Sequence, residues 1–134
     1  VYQAGTLSGN PVTMAAGLAT LRKLTDSTLI EHVNSATTEF VNTLQTQLSE
    51  LPVSIVNAGS IFWIVFQAPA PRRADHIDSQ KTEHYATLHA SLLEHGIYFP
   101  PSAYEVCFVS AAHTPDTLRK AADTIAACVR QAIS

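Results

Sequence analysis

The sequence has few cysteines, little charge and no long apolar stretch, and each shortage removes a class of protein. Two cysteines, Cys107 and Cys128, are too few for the disulfide framework with which small secreted folds offset a thin core, so a reducing compartment is the expected setting. Lys and Arg total 8 against 11 Asp and Glu, a formal net charge of -3. That leaves no basic field for a phosphate backbone and sets nucleic-acid binding aside. The longest apolar run, Ile61 to Phe66, is far below the roughly 20 residues of a membrane-spanning helix, and no charged segment leading into an apolar one opens the chain, so no membrane partner is expected. No Gly-x-Ser-x-Gly elbow is present, which leaves hydrolase chemistry without support. Histidine is more plentiful, at six. His84, His89 and His95 share one predicted helix, but their spacings do not bring ligands onto one face as a step of four does, and no Cys or Asp pair completes a set. Structural or surface histidines, and no metal, are the expectation.

What the sequence does contain is enough apolar material, 46% of 134 residues, for one core of ordinary size. Asn10 as cap and Pro11 at the first helical position announce a helix to about Leu24, with Met14, Leu18, Leu21 and Leu24 at helical spacing. Ala15, Ala16, Gly17 and Ala19 on the same helix are small enough to admit a neighbouring backbone. Asp26 or Ser27 is placed to cap a longer helix with apolar positions Leu29, Val33, Ala36, Phe40, Leu44, Leu48 and Leu51, ended by Pro52. The pattern then turns β-branched and aromatic at 53–56 and 61–66, with residues 57–60 as a hairpin loop. Residues 68–78, rich in proline, show no period and read as a surface loop. A third helix is predicted from near Ser79 to His95 with Gly96 ending it in a left-handed turn. Short strands at 97–99 and 107–109 bracket a loop, and Thr114, Pro115 and Asp116 open a last helix whose stripe is Leu118, Ala122, Ile125 and Val129. This order predicts an α+β, two-layer fold, a small antiparallel sheet with helices on one face.

Two segments have the make-up of a site. Gly5-Thr6-Leu7-Ser8-Gly9-Asn10-Pro11 joins two glycines and two hydroxyls to a helix N-terminus, an arrangement that offers amides and a positive dipole end to an anion. The same residues also compose a plain turn feeding a well-capped helix, the commoner outcome for such a loop. Its glycine spacing is one short of a P-loop, and Asn10-Pro11 stands where that motif needs Lys and a hydroxyl residue. Pro100-Pro101-Ser102-Ala103-Tyr104-Glu105 is a rigid turn carrying a carboxylate between two apolar strands. Glu105 is either a working acid or, the reading favoured by the residues alone, a solvated loop acid. His113, just before a helix cap, either orients the Pro100 loop or is structural.

The run Val1 to Pro11, Val-Tyr-Gln-Ala-Gly-Thr-Leu-Ser-Gly-Asn-Pro, resembles a signature of the glutamate-1-semialdehyde aminomutases, members of the class III, fold-type I aminotransferase family. Gly59 to Phe62, Leu92 to Ser102 and Phe108 to Thr114 resemble later segments of that family in the same order. The resemblance implies the C-terminal domain of a fold-type I pyridoxal-phosphate enzyme. Residues 1–24 would be the cofactor-phosphate loop and the linking helix, and 25–134 the small domain. It further implies a homodimer that isomerises the small-molecule substrate glutamate 1-semialdehyde to 5-aminolevulinate in tetrapyrrole (porphyrin) biosynthesis, in a bacterial cytoplasm or a plastid stroma. In the family the Gly-Thr pair reaches across the dimer to the cofactor phosphate, a role that falls on Gly5 and Thr6. The glutamate after the Pro-Pro-Ser turn lies near the active-site mouth, which points to Glu105, and Tyr2 stands beside the phosphate loop.

An ordinary class III ω-aminotransferase shares the loop, fold and cofactor. Such enzymes usually carry an arginine for the substrate carboxylate in this domain, and none occurs between Gly96 and Thr114. A non-catalytic dimerisation or binding module is the other alternative; an intact phosphate loop speaks against it. The chain starts at Val1 and enters a glycine loop at once, so it reads as a piece of a longer polypeptide. Its only lysines, Lys23, Lys81 and Lys120, all lie on predicted helices and none matches the family's Schiff-base lysine. No catalytic residue is therefore expected in it, and its small-residue face on the first helix is expected to be exposed and prone to self-association. The isolated chain should show no cofactor absorbance that survives dialysis and disappears on borohydride treatment; such a band would overturn this expectation.

Overall fold

In a computed structural model of the protein, residues 5–25 and 27–134 are described. The chain divides into two compact units, Val1–His32 and Val33–Ser134.

The first unit carries helix α1, Pro11–Leu24. Asn10 caps it as the sequence predicts: its side-chain oxygen accepts from the amides of Val12 at 3.0 Å and Thr13 at 3.3 Å. Arg22 and Lys23 complement the negative end of the helix dipole. No residue of α1 is buried. Helix α2, Ser27–Gln47, begins in this unit and continues into the next. Asp26, one of its two candidate caps, lies outside the described residues, as does the side chain of Ser27.

In the second unit α2 stops at Gln47, earlier than the expected limit at Pro52, and the chain leaves through turns closed by Leu51 N donating to Leu48 O. Leu48 and Leu51 still face the core, because a tight turn keeps them over the same surface. Strands β1, Ser54–Ala58, and β2, Ile61–Val65, form an antiparallel hairpin in which Ala58 pairs with Ile61. The loop is thus two residues rather than the expected four. Gly59 sits first in it at φ 58°, the left-handed conformation such a turn needs. A β-carbon there would also lie 3.2 Å from Asn34 Oδ1 on α2, so glycine is required twice over.

The loop 68–78 contains one short 3-10 turn, Ala74–His76. A second, Ser79–Lys81, leads into helix α3, Thr82–Glu94. The predicted left-handed Gly96 is present at φ 75°. Its amide donates to Leu93 O, and that of Ile97 donates to Leu92 O at 2.9 Å, the pair of bonds that closes a Schellman cap. Strand β3 is only Cys107–Phe108, paired with Ile61 and Phe62, and the sheet runs β1-β2-β3. Helix α4, Pro115–Ile133, starts at Thr114, whose hydroxyl accepts from Thr117 N.

The expected strand at 97–99 does not form. The Ile97 amide is spent on the α3 cap, the Phe99 carbonyl lies 3.2 Å from His89 Nε2, and the two following prolines have no amide to offer a ladder. The other expected strand survives because Val109 N donates to Ser60 O at 2.9 Å, anchoring it beside β2.

One sheet face carries Ile55, Phe62, Ile64 and Cys107, which join Phe40, Val41 and Leu44 of α2, Leu88 and Leu92 of α3, and Ile125 and Val129 of α4 in a single buried cluster. Helices on one side of a small antiparallel sheet is the α+β arrangement the sequence predicts. Thr37 is fully buried within it, its hydroxyl donating to Val33 O at 2.7 Å so that no polar group is stranded. Among the described residues no helix is long and apolar enough to cross a membrane. Leu88→Ala should lower unfolding free energy by about 2–5 kcal/mol, read from urea midpoints, because the site is enclosed on every side and cannot collapse fully.

Candidate functional site

The Gly5–Pro11 loop is held by two short bonds, Ser8 N donating to Gly5 O at 3.0 Å and Asn10 N to Leu7 O at 3.2 Å, with Gly9 left-handed at φ 74°. Asn10 takes the first free amides of α1, so the helix end is capped from within and offers an anion less than the sequence pattern suggests. Among the described residues the donors left over in the loop are the amides of Gly5, Thr6, Leu7 and Gly9, the Thr6 and Ser8 hydroxyls and the Asn10 side-chain amide nitrogen, all on exposed residues. Gly5 lets the loop fold closely on itself: a β-carbon there would come within 2.8 Å of Ser8 Oγ. Several amides and a hydroxyl beside a residue without a side chain suit the oxygens of a phosphate monoester, so this donor set fits the phosphate of pyridoxal phosphate. Tyr2 lies outside the described residues.

The second unit holds a groove of about 790 Å³ between the 96–109 segment and α4. Its floor is apolar, with Phe40, Phe62, Leu118 and Ile125. Phe62 anchors that floor through edge-to-face contacts with Phe40 at 5.3 Å and Phe99 at 5.8 Å. Glu105 and His113, separate candidates in the sequence, both line it and both are exposed. His113 Nδ1 accepts the Ser110 amide at 3.0 Å, so in the neutral ring the proton is on Nε2. Sequence reasoning missed the aromatic rim of Tyr98, Tyr104 and Phe108, which are 78%, 57% and 70% exposed. The signal was available: three large aromatic side chains flank a loop in a chain with only 7% aromatics.

It also missed what holds the Pro100 loop. Tyr85 Oη donates to Pro100 O at 2.7 Å, and Trp63 Nε1 donates to Ala103 O at 2.7 Å. These partners are far apart in sequence, and nothing local announces them. Burial first, then the charges of Cys107 and Glu105, push the Tyr85 phenol well above its ordinary value and keep it a donor. Among the described residues no cluster of three or more His, Cys, Asp or Glu is placed to hold a metal.

A glutamate-1-semialdehyde 2,1-aminomutase from Tropheryma whipplei is 42% identical over 98% of the chain. The chain belongs to the glutamate-1-semialdehyde 2,1-aminomutase family. Aminomutases from Syntrophomonas wolfei and Archaeoglobus fulgidus are 39% and 36% identical over 98% and 93% of it. The chain spans 28%, 31% and 30% of the length of these three curated aminomutases. No family model matches. Among solved structures, an omega-transaminase from Sphaerobacter thermophilus superposes with a TM-score of 0.84 at 24% identity, over 100% of this chain and 31% of that one. An aminomutase from Pseudomonas aeruginosa in complex with PMP gives 0.80 at 23%, over 96% and 29%. These two share the fold of this aminomutase-family chain.

Neither cysteine is a nucleophile in this setting. Both are buried and unbridged, and burial pushes the Cys107 thiol up to about 12. Because the folded state holds that proton more tightly than the unfolded chain, whose thiol has the ordinary value of 9.0, stability is indifferent to this group below about pH 9. It falls as pH rises from there towards 12. Denaturant midpoints should follow that course, and an aromatic disulfide reagent at pH 8 should label neither thiol until the protein is unfolded.

Proposed function

We propose that this chain is the C-terminal portion of an enzyme that isomerises glutamate 1-semialdehyde to 5-aminolevulinate, a step of porphyrin formation. The observation that carries the reading is the Gly5–Gly9 loop, whose uncommitted amides and Thr6 hydroxyl answer the oxygens of a phosphate. Pyridoxal phosphate, when bound, supplies the electron sink and amino-group carrier that moving an amino group between neighbouring carbons requires.

Within that scheme residues 1–24 hold the phosphate and link domains, and residues 25–134 form the small domain. The Thr6 hydroxyl and the amides of Thr6 and Leu7 donate to the phosphate oxygens, and Gly5 lets them approach. Asn10 keeps α1 capped, so the loop enters the helix at a defined angle. Glu105 offers a carboxylate at the rim of the groove, suited to orienting an amino group of the substrate, and His113 Nε2–H offers a donor on the same groove. Tyr2, which precedes this loop in the sequence, is a further candidate by the family resemblance. The absence of an arginine between Gly96 and Thr114 favours the aminomutase over an ω-aminotransferase, which usually carries one in this domain for the substrate carboxylate. A homodimer, with the loop serving the cofactor of the other subunit, and a cytoplasmic location complete the reading.

In the complete enzyme, Thr6→Val combined with Gly5→Leu should raise the Kd for pyridoxal phosphate at least about tenfold, since a hydrogen bond to a charged group contributes about 1.5–3 kcal/mol. The wild type should convert glutamate 1-semialdehyde with no keto acid added. An unchanged Kd removes the loop from the site, and an absolute need for a keto acid replaces the aminomutase with a transaminase.

A further inference from the structure

The segment that presents Glu105 cannot hold itself. Pro100 and Pro101 carry no amide hydrogen, and the only bonds made within the segment are Glu105 N to Ser102 O at 3.2 Å and Tyr104 N to Ser102 Oγ at 3.3 Å. Its carbonyls are instead taken by side chains from two other elements. Trp63 of β2 donates to Ala103 O and Tyr85 of α3 to Pro100 O, both at 2.7 Å, and His89 Nε2 of α3 lies 3.2 Å from Phe99 O. The grip therefore has points on both sides of the Pro-Pro pair. Resting on the reading of Glu105 as a substrate-site carboxylate, we propose that Trp63 and Tyr85 are positioning residues that clamp the Phe99–Glu105 segment and so fix where Glu105 stands on the groove.

The geometry favours a positioning role over simple packing. Tyr85 is 3% exposed, yet its one polar atom is aimed at a loop carbonyl rather than at water. Trp63 is the only tryptophan of the chain and stands on the sheet face opposite the core cluster, where its indole N–H serves the loop. The Glu105 charge is felt at the Tyr85 phenol, so clamp and carboxylate are electrostatic neighbours. Replacing either side chain by phenylalanine deletes the donor and keeps an aromatic body in place.

The test uses the complete enzyme with Trp63→Phe, Tyr85→Phe, Glu105→Gln and the pair Tyr85→Phe with Glu105→Gln. Hydrogen exchange of the peptide spanning 102–106 should quicken about fivefold in each Phe variant, as loss of one hydrogen bond implies, while exchange in α4 stays unchanged. KM for glutamate 1-semialdehyde should rise in Tyr85→Phe with kcat little altered. That rise should vanish in the Glu105→Gln background, because Tyr85 acts on the substrate only through where it places Glu105. Unchanged loop exchange in both Phe variants, or an equal KM rise with and without Glu105, overturns the clamp. If Glu105→Gln alone leaves KM unchanged, Glu105 leaves the proposed substrate site, and loop exchange alone then decides the clamp.

Discussion

Two adjacent prolines set the terms for the groove of this structure. By removing two amide donors in succession, Pro100 and Pro101 deny the segment after α3 a place in the sheet, and its carbonyls are answered from the side by Trp63, Tyr85 and His89. The irregular path instead leaves an aromatic-rimmed groove with Glu105 and His113 on its wall. Loss of ladder bonds at one point is thus converted into a concave surface with polar groups on it.

The groove is tied to the core through Phe62. That ring stacks edge-on against Phe40 of α2 and Phe99 of the Pro100 segment, while its backbone pairs with Asn57 on one side and Cys107 on the other. Helix packing, hairpin and loop therefore meet at one residue of the central strand. The same strand supplies Trp63 to the loop from its opposite face, so alternation along β2 serves the core with one residue and the groove's supporting loop with the next.

The phosphate-binding candidate rests on a different economy. Asn10 and the loop's own turns consume several amides, and what remains among the described residues is a small set at Gly5, Thr6, Leu7 and Gly9. A helix N-terminus left uncapped would be a stronger anion site but a weaker helix. Here α1 is stabilised by its cap, and the loop before it retains donors for a ligand.

The sequence by itself determined whatever depends on neighbours a few residues apart. The Asn10 and Thr114 caps, the left-handed Gly96 and the stripes of α2 and α4 were all legible, since each involves contacts within one or two helical turns. The motif resemblance supplied Gly5, Thr6 and Glu105, which residue chemistry alone left open between a site and an ordinary turn or loop acid. Tertiary structure decided the rest: that α2 ends at Gln47, that the hairpin turns in two residues against Asn34, and that residues 97–99 lose their ladder. It also decided that Glu105 and His113 share a groove braced by Trp63 and Tyr85. Those outcomes turn on which distant donor reaches which carbonyl, and composition and period carry no record of partners brought together only by packing.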